Sequence, residues 1–255
     1  MRELERDSSH DTPPCPSLAI IGQGRLGNAL VSALRERGVP AQGPFGRGAD
    51  GAGAEAALLC VPDDDIATAA ALIPPGPLVG HCSGATGLEA LMPHEAFSLH
   101  PLMAVTEVGK SLEGAGAAVA GSTPRALALA RALAEKLGMR PVSVADVDRV
   151  AYHAAASMAS NFLVTLQAAA EEVAGTAGVS RELLVALVRA TVENWAALGP
   201  ERALTGPIAR GDEATVERQR DAIVERAPEL LELFDALAAA TRRLAASRHP
   251  EGQPA

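Results

Sequence analysis

Aromatic side chains are scarce: one Trp, one Tyr and four Phe in 255 residues, 2% of the chain. Alanine and leucine must therefore carry the packing, which favours helix–helix and helix–sheet contacts over an all-β core. Apolar residues still make up 48%, and a chain of this length buries a full core as one large domain or two modest ones. Positive charge is short as well. Lys and Arg total 22 against 31 Asp and Glu, a formal net charge of −9, with no sustained basic run. Nucleic acid and anionic membrane surfaces need a basic footprint, so neither is an expected partner. Long apolar runs are missing too. No segment approaches the ~18–20 residues of a membrane span, and the polar opening MRELERDSSHDTPP does not read as a signal peptide. Cysteine is limited to Cys15, Cys60 and Cys82, an odd number without metal-ligand spacing. That usage suits a reducing cytoplasm. Cys60 falls within an apolar strand pattern and reads as a small buried hydrophobe; Cys82 lies nearer a candidate site but also reads as core filling.

What is present is more specific. Residues 18–27 read LAIIGQGRLG, an apolar run emptying into Gly22-x-Gly24-x-x-Gly27, followed by helical spacing from Leu26 to Leu34. A strand before the triplet and a helix after it give the glycines a physical purpose. Gly22 permits the tight turn, Gly24 lets a pyrophosphate approach the backbone, and Gly27 lets the helix pack closely on the sheet. The helix N-terminus adds unpaired N–H groups and partial positive charge. Gly22, Gln23, Gly24, Arg25, Leu26 and Gly27 are accordingly the first cofactor-binding candidates.

The strand–helix rhythm continues to about residue 146. The pattern predicts strands at Leu18–Ile21, 39–45, 57–61, 78–81, 96–99, 117–120 and 141–144, with helices at 25–37, 66–72 and 124–137. The glycine-rich stretch 46–54 is a loop, so one crossover helix is reduced or missing. From Asp146 the composition changes to Ala/Leu/Val segments at helical spacing, predicting helices at 147–177, 180–197, 213–225 and 228–246. The expected organisation is an unstructured start (1–16), a Rossmann-type domain (17–146), an all-helical domain for substrate binding and dimerisation (147–246), and an unstructured tail (247–255). The fold class is α/β, a doubly wound mostly parallel sheet followed by an all-α domain.

NAD enzymes usually carry an acid at the end of the second strand for the ribose 2′-OH, whereas NADP enzymes place a cation there. Here the position reads Phe45-Gly46-Arg47-Gly48, with no acid before Asp50. Arg47 is suited to a 2′-phosphate through paired N–H bonds; the alternative is a solvated loop charge. Val61 and Pro62 end the third strand where a nicotinamide ribose passes. The following Asp63-Asp64-Asp65 reads as a helix start with Asp65 as the cap. Adjacent acids splay apart, so no metal is expected. Ser83 and Gly84 follow the strand ending in His81, at the carboxyl edge where open α/β sheets bind ligands. Their backbone amides suit a substrate carboxylate. His81 and His100 are candidates for either chemistry or structure.

The strings VPDDDI (61–66), HCSGATG (81–87), SLHPLM (98–103), YHAAASMASNFL (152–163) and ALTGPIARGD (203–212) together resemble a bacterial family with a Rossmann-like N-terminal domain and a helical C-terminal domain of unassigned function. More broadly, the two-part layout resembles ketopantoate reductase, pyrroline-5-carboxylate reductase and the 3-hydroxyacid dehydrogenases. The resemblance spans about residues 17–245. It implies an NADP-dependent oxidoreductase acting on a small keto, imino or hydroxy acid, with a C-terminal domain like that of 6-phosphogluconate dehydrogenase. In ketopantoate reductase and the hydroxyacid dehydrogenases the first helix of the second domain carries a lysine followed four positions later by an asparagine. Asn161 matches the asparagine, but Ser157 stands at the lysine position. Serine is a poor proton donor, so His153, which shares a face with Ser157 and Asn161 at i, i+4, i+8, or water, or His100 must serve instead, with Asn161 orienting the substrate. Arg210 is suited to a substrate carboxylate, or to pairing with Asp212 or across a dimer interface. Without the lysine, a non-catalytic NADP-binding sensor on the same scaffold is the alternative function. The alanine-rich helices also lead us to expect a homodimer through the second domain.

Overall fold

Leu18–Ile21 (β1) sends alternate side chains to opposite faces, as a strand must. Leu18 and Ile20 enter a core with Leu30 and Leu34 of α1 (Arg25–Glu36) and with Leu129 and Leu133 of α3 (Pro124–Lys136). Ala19 and Ile21 enter a second core with Ile66 and Ala69 of α2 (Ile66–Ala70). A strand covered on both faces reads as a continuous apolar run, which is why LAII does not alternate with polar residues.

The computed structural model describes residues 15–51, 53–104 and 111–247; nearly all of the ends expected to be unstructured lie outside them. The other strands are β2 (Ala41–Phe45), β3 (Ala56–Leu59), β4 (Leu78–His81), β5 (Ala96–Leu102), β6 (Gly116–Gly121) and β7 (Arg140–Ser143). They form one seven-stranded sheet in the order β2-β1-β3-β4-β5-β6-β7. Neighbours are parallel except β5 and β6, which pair antiparallel from Phe97↔Gly121 to Leu102↔Gly116. This is the Rossmann-type α/β architecture. The described residues between β2 and β3 hold no helix, so the expected loss of one crossover is real. The outer strands β2 and β7 each contain a proline, Pro44 and Pro141.

A helical region follows: α4 (Arg149–Ser157), α5 (Leu163–Thr176), α6 (Arg181–Ala203), α7 (Glu213–Arg226) and α8 (Leu231–Ala246). One expected helix needs correction. The single helix over 147–177 is divided by a π-turn at Met158–Phe162, where Ser157, Ser160 and Asn161 gather weak helix formers. The 3.6-residue period behind the shared face of His153, Ser157 and Asn161 does not run through that turn. The helix expected over 180–197 is present: at Gly199 (φ 76°) the backbone leaves helical geometry, and a further short helical stretch from Pro200 runs on to Ala203.

Contacts divide the chain into two compact units, Met1–Ser160 and Asn161–Ala255, so α4 belongs with the sheet although the composition turns helical at Asp146. In the second unit, ion pairs Arg220–Asp235 and Arg242–Glu213 join α7 to α8. Neither α5 nor α6 contains a buried residue. No helix among the described residues is long and apolar enough to cross a membrane.

Candidate functional site

The turn after β1 is built from contacts that only glycine allows. Gly22 has φ 123° and donates its N–H to Phe45 O at 2.8 Å; a Cβ there would lie 2.2 Å from Cys60 O. A Cβ on Gly27 would meet Gly22 O at 1.9 Å. Gly24 differs. A Cβ there would meet nothing within 4 Å, and its φ of −72° suits any residue. No neighbouring atom of the protein requires a glycine at this position: the space in front of it is open, as it is at Gly46 and Gly48, and here that space lies at the wall of a cleft. Asn28, which the sequence reading did not single out, stiffens the loop by donating Nδ2–H bonds to Gln23 O and Gly24 O, each at 2.9 Å. The first turn of α1 carries no acid and no side-chain cap, leaving its N-terminal field unopposed.

This turn borders a cleft of about 730 Å³ at the carboxyl ends of β1, β3 and β4. Besides Gly22, Gln23, Gly24, Arg25 and Leu26, its walls include Arg47, Val61, Pro62, Asp63 and Ser83; Gly27 lies behind them, buried. A second hollow of about 700 Å³ sits at the amino-terminal side, lined by Ala54, Glu55, Pro77, Leu78 and Arg125. Ligands of open α/β sheets bind at the carboxyl edge, which favours the first. Arg47 reaches across its mouth to Asp65, Nη1 to Oδ2 at 2.6 Å. Asp65 therefore is not the side-chain cap of α2: it makes no capping bond and holds the guanidinium instead. Both groups are largely exposed, so the pair contributes little to stability and is open to exchange.

The turn after β4 is tightly bonded. Ser83 Oγ donates to Asp63 Oδ2 (2.8 Å) and accepts from Ala85 N (3.2 Å) and Thr86 N (2.9 Å). Ser83 N–H is spent on His81 Nδ1 at 3.2 Å. Of the two amides expected to hold a carboxylate, that of Ser83 is thus used inside the turn, as are those of Ala85 and Thr86, which leaves only Gly84 of the expected pair as a candidate. His81 has its second nitrogen, Nε2, 3.2 Å from Gly87 O. One ring nitrogen accepts and the other donates, which fixes a neutral tautomer, and burial lowers its pKa. His81 is a structural brace of the turn.

Beside Gly84 three rings converge within the first unit. His100 Nδ1 lies 2.8 Å from Tyr152 Oη, and the two rings meet edge-on at 5.6 Å. The His153 ring stands 6.0 Å from that of His100. A Cβ on Gly84 would come within 2.9 Å of both His100 Cε1 and His153 Cδ2, and 3.0 Å of His100 Nε2, so glycine keeps the space between the imidazoles open. Burial, then the nearby His153 and Arg149, bring the His100 pKa down to about 4. His100 is therefore neutral at pH 7. Burial raises the Tyr152 hydroxyl above its ordinary value.

Arg149 escaped the sequence reading. It is buried to 1% exposure, with Nε on Asp146 Oδ1 at 2.8 Å, Nη2 on Ser98 Oγ, and Nη1 without a partner among the described residues. The available signal was its position: a cation in the first turn of a helix opposes the dipole and needs another reason to be there. Ser98 sits opposite His81 in the β4–β5 register, which places this fixed charge near the histidine cluster. The remaining candidates are scattered. Ser157 ends α4, half-buried; Asn161 is exposed in the π-turn of the second unit; Arg210 is exposed in a short 3₁₀ turn, Ile208–Arg210. Asp212 does not form an ion pair with Arg210 but caps α7 through Thr215 N and Oγ1.

Residues 116–241 match the model of a family described as a domain of unknown function, DUF2520. No curated protein matches the chain in sequence. Among solved structures, the chain resembles a putative NADP oxidoreductase from Bacteroides fragilis (19% identity, TM-score 0.76, covering 89% of this chain and 98% of that one). It also resembles a protein from Thermotoga maritima (24%, 0.75, 90% and 98%). A pyrroline carboxylate reductase from Plasmodium falciparum with NADP bound aligns at 10% identity and TM-score 0.58, over 91% and 99% of the two chains. At these identities what is shared is the fold, and the chain has the Rossmann-type architecture of these proteins.

Proposed function

We propose that the protein is an NADP(H)-dependent oxidoreductase that moves a hydride between nicotinamide and a small keto, imino or hydroxy acid. The observation that carries this reading is the unfilled space at Gly24, at the mouth of a strand–helix turn whose other two glycines are sterically required. Arg47 at the end of β2 favours the 2′-phosphate form, exchanging Asp65 for the phosphate. Arg25 offers a second cation at the same turn. The NADP-bound structural neighbour and the resemblance of the sequence strings support the same cofactor.

When bound, the nicotinamide supplies the hydride. The chain must hold the substrate and manage a proton. His100 is not a cationic acid at pH 7, so it works as a neutral imidazole. Its Nε2–H, facing Gly84, donates a hydrogen bond to the developing negative charge while Nδ1 accepts the Tyr152 Oη–H hydrogen bond, so the ring stays neutral. His153 flanks the same space. The departure at Ser157 favours a second reading, a sensor that binds NADP(H) without turnover.

Calorimetric titration with NADPH and NADH, followed by a panel of keto acids, cyclic imines and hydroxy acids watched at the nicotinamide absorbance, decides among these. Tight NADPH binding with turnover supports the enzyme, and binding without turnover the sensor. No heat and no thermal shift with any nicotinamide nucleotide would remove both. The protein is further expected to be a homodimer. Phe162, Val164, Leu183, Leu187, Trp195 and Leu198 are all exposed on the π-turn, α5 and α6, an apolar surface that water disfavours.

A further inference from the structure

Two of the three cysteines meet on the floor of the cleft. Cys60 and Cys82 each follow directly on the last residue of a strand, and those last residues, Leu59 and His81, are register partners in the parallel β3–β4 pair. The two cysteines are therefore opposite one another, one step beyond the ladder. Their backbones are pinned there, Cys60 N to Ile21 O at 2.7 Å and Cys82 N to Leu59 O at 3.1 Å. Their Sγ atoms lie 3.7 Å apart. The strand expected to contain Cys60 stops at Leu59, and Cys60 packs against the core on one side while it borders the cleft on the other. It is half-buried and, with Cys82, lines the same cleft as Gly22, Gly24 and Arg47.

We propose that Cys60 and Cys82 are a redox-active thiol pair that closes to a reversible disulfide, and that a dinucleotide seated in the cleft shields it. The second half rests on the cofactor reading above. Adjacent strands hold Cα atoms within the span a disulfide tolerates, so the sulfurs must approach by about 1.7 Å to reach the ~2.05 Å bond. The more accessible Cys60 meets the oxidant first. With hydrogen peroxide, the Cys60 thiolate attacks one oxygen, the O–O bond breaks, and the departing hydroxide takes up the proton the thiol had released, giving Cys60 sulfenic acid and water. The Cys82 sulfur then attacks the Cys60 sulfur; the S–S bond forms, the S–O bond breaks, and hydroxide leaves with the Cys82 proton as a second water. Two thiols have lost two electrons and two protons, and the peroxide has become two waters. The Cys60 thiol beside it, and burial after that, push the Cys82 thiol upward, which disfavours Cys82 for the first attack; in the second step its position against Cys60 offsets its lower thiolate fraction. A dithiol reductant reverses the reaction.

The test uses the full chain carrying Cys15→Ser, which leaves only the pair. Treatment with hydrogen peroxide should lower the mass by two hydrogens, yield a peptide pair linked through Cys60 and Cys82, and be undone by dithiothreitol. Without oxidant, phenylarsine oxide should bind one to one to this protein and not to a version that also carries Cys82→Ser. Accumulation of Cys60 sulfinic acid beside a free Cys82 thiol, or no difference in arsenical binding, would overturn the pair. NADPH at about 100 times its Kd should slow disulfide formation about 100-fold, the factor by which mass action depletes the free form. An undiminished rate with NADPH demonstrably bound would overturn the shielding alone. Failure of NADPH to bind, with the disulfide still forming, would leave the pair standing and defeat the cofactor reading.

Discussion

Lowering the pH from 7 to 4 should destabilise the protein through His100 by an amount the structure sets. The folded chain holds this imidazole's pKa at about 4, against 6.5 for an ordinary histidine, chiefly by burial. In the unfolded chain it recovers the ordinary value. Above pH 6.5 the ring is neutral in both states, and its titration adds nothing. Below 6.5 the unfolded state takes up a proton that the folded state refuses, so stability falls as the pH drops and levels off below about 4. At about 1.4 kcal/mol per pH unit, the gap amounts to about 3 kcal/mol between pH 7 and pH 4. Urea unfolding at several pH values, on the native protein and on His100→Asn, isolates the effect. Carboxylates and His81 titrate in both proteins and cancel in the difference. The native curve should fall about 3 kcal/mol further than the variant's. Parallel curves, or a His100 pKa of 6 or above by NMR titration, would refute the buried neutral imidazole and the proton path drawn through it.

Gly22→Ala should cost about 3 kcal/mol or more, because it combines a positive φ with a backbone clash; Gly24→Ala should leave thermal stability within about 1 kcal/mol while weakening NADPH binding at least about tenfold. Equal effects of the two on melting temperature would disprove the distinction. Arg47→Ala should weaken NADPH about 10- to 100-fold, the range for a lost charge-assisted hydrogen bond, and NADH far less; equal losses by titration would disqualify Arg47 as the phosphate contact. Arg149→Met removes a positive charge that holds the His100 pKa down, so the NMR titration should move upward, and an unmoved curve would deny the coupling. Trp195→Glu, on a side chain exposed in the single chain, should convert a dimer to monomer in sedimentation, whereas a native protein already monomeric would dispose of the expected interface.

Much of the sheet was legible because buried parallel strands announce themselves as short apolar runs bounded by glycine and proline. Leu18–Ile21 and Leu78–His81 end where those signals put them. Gly22 and Gly27 were legible for the same reason, since their steric roles are local. Contacts made by side chains distant in sequence left no trace. Nothing near Arg47 signals that it reaches Asp65, 18 positions on, and nothing near His100 points to Tyr152, 52 positions on. Cys60 packs against the core as its apolar surroundings suggest, but an apolar run does not show where its hydrogen-bonded ladder stops, so its half-exposure at the cleft was not legible. The π-turn at Met158–Phe162 was hidden because a helical period is read as an average, and one extra residue per turn vanishes into it.

The prolines of the two outermost strands bear on how copies of this molecule meet. Pro44 on one rim and Pro141 on the other each lack a backbone N–H, which is why proline within sheets is confined to edge strands and bulges. A seven-stranded sheet with bare rims would invite its neighbours to extend it, the route by which sheets run on into fibres. Here both rims are blunted, so the sheet resists lengthening from either side. The homodimer proposed above would then rest on the apolar surfaces of the helices, where association can end at a closed pair.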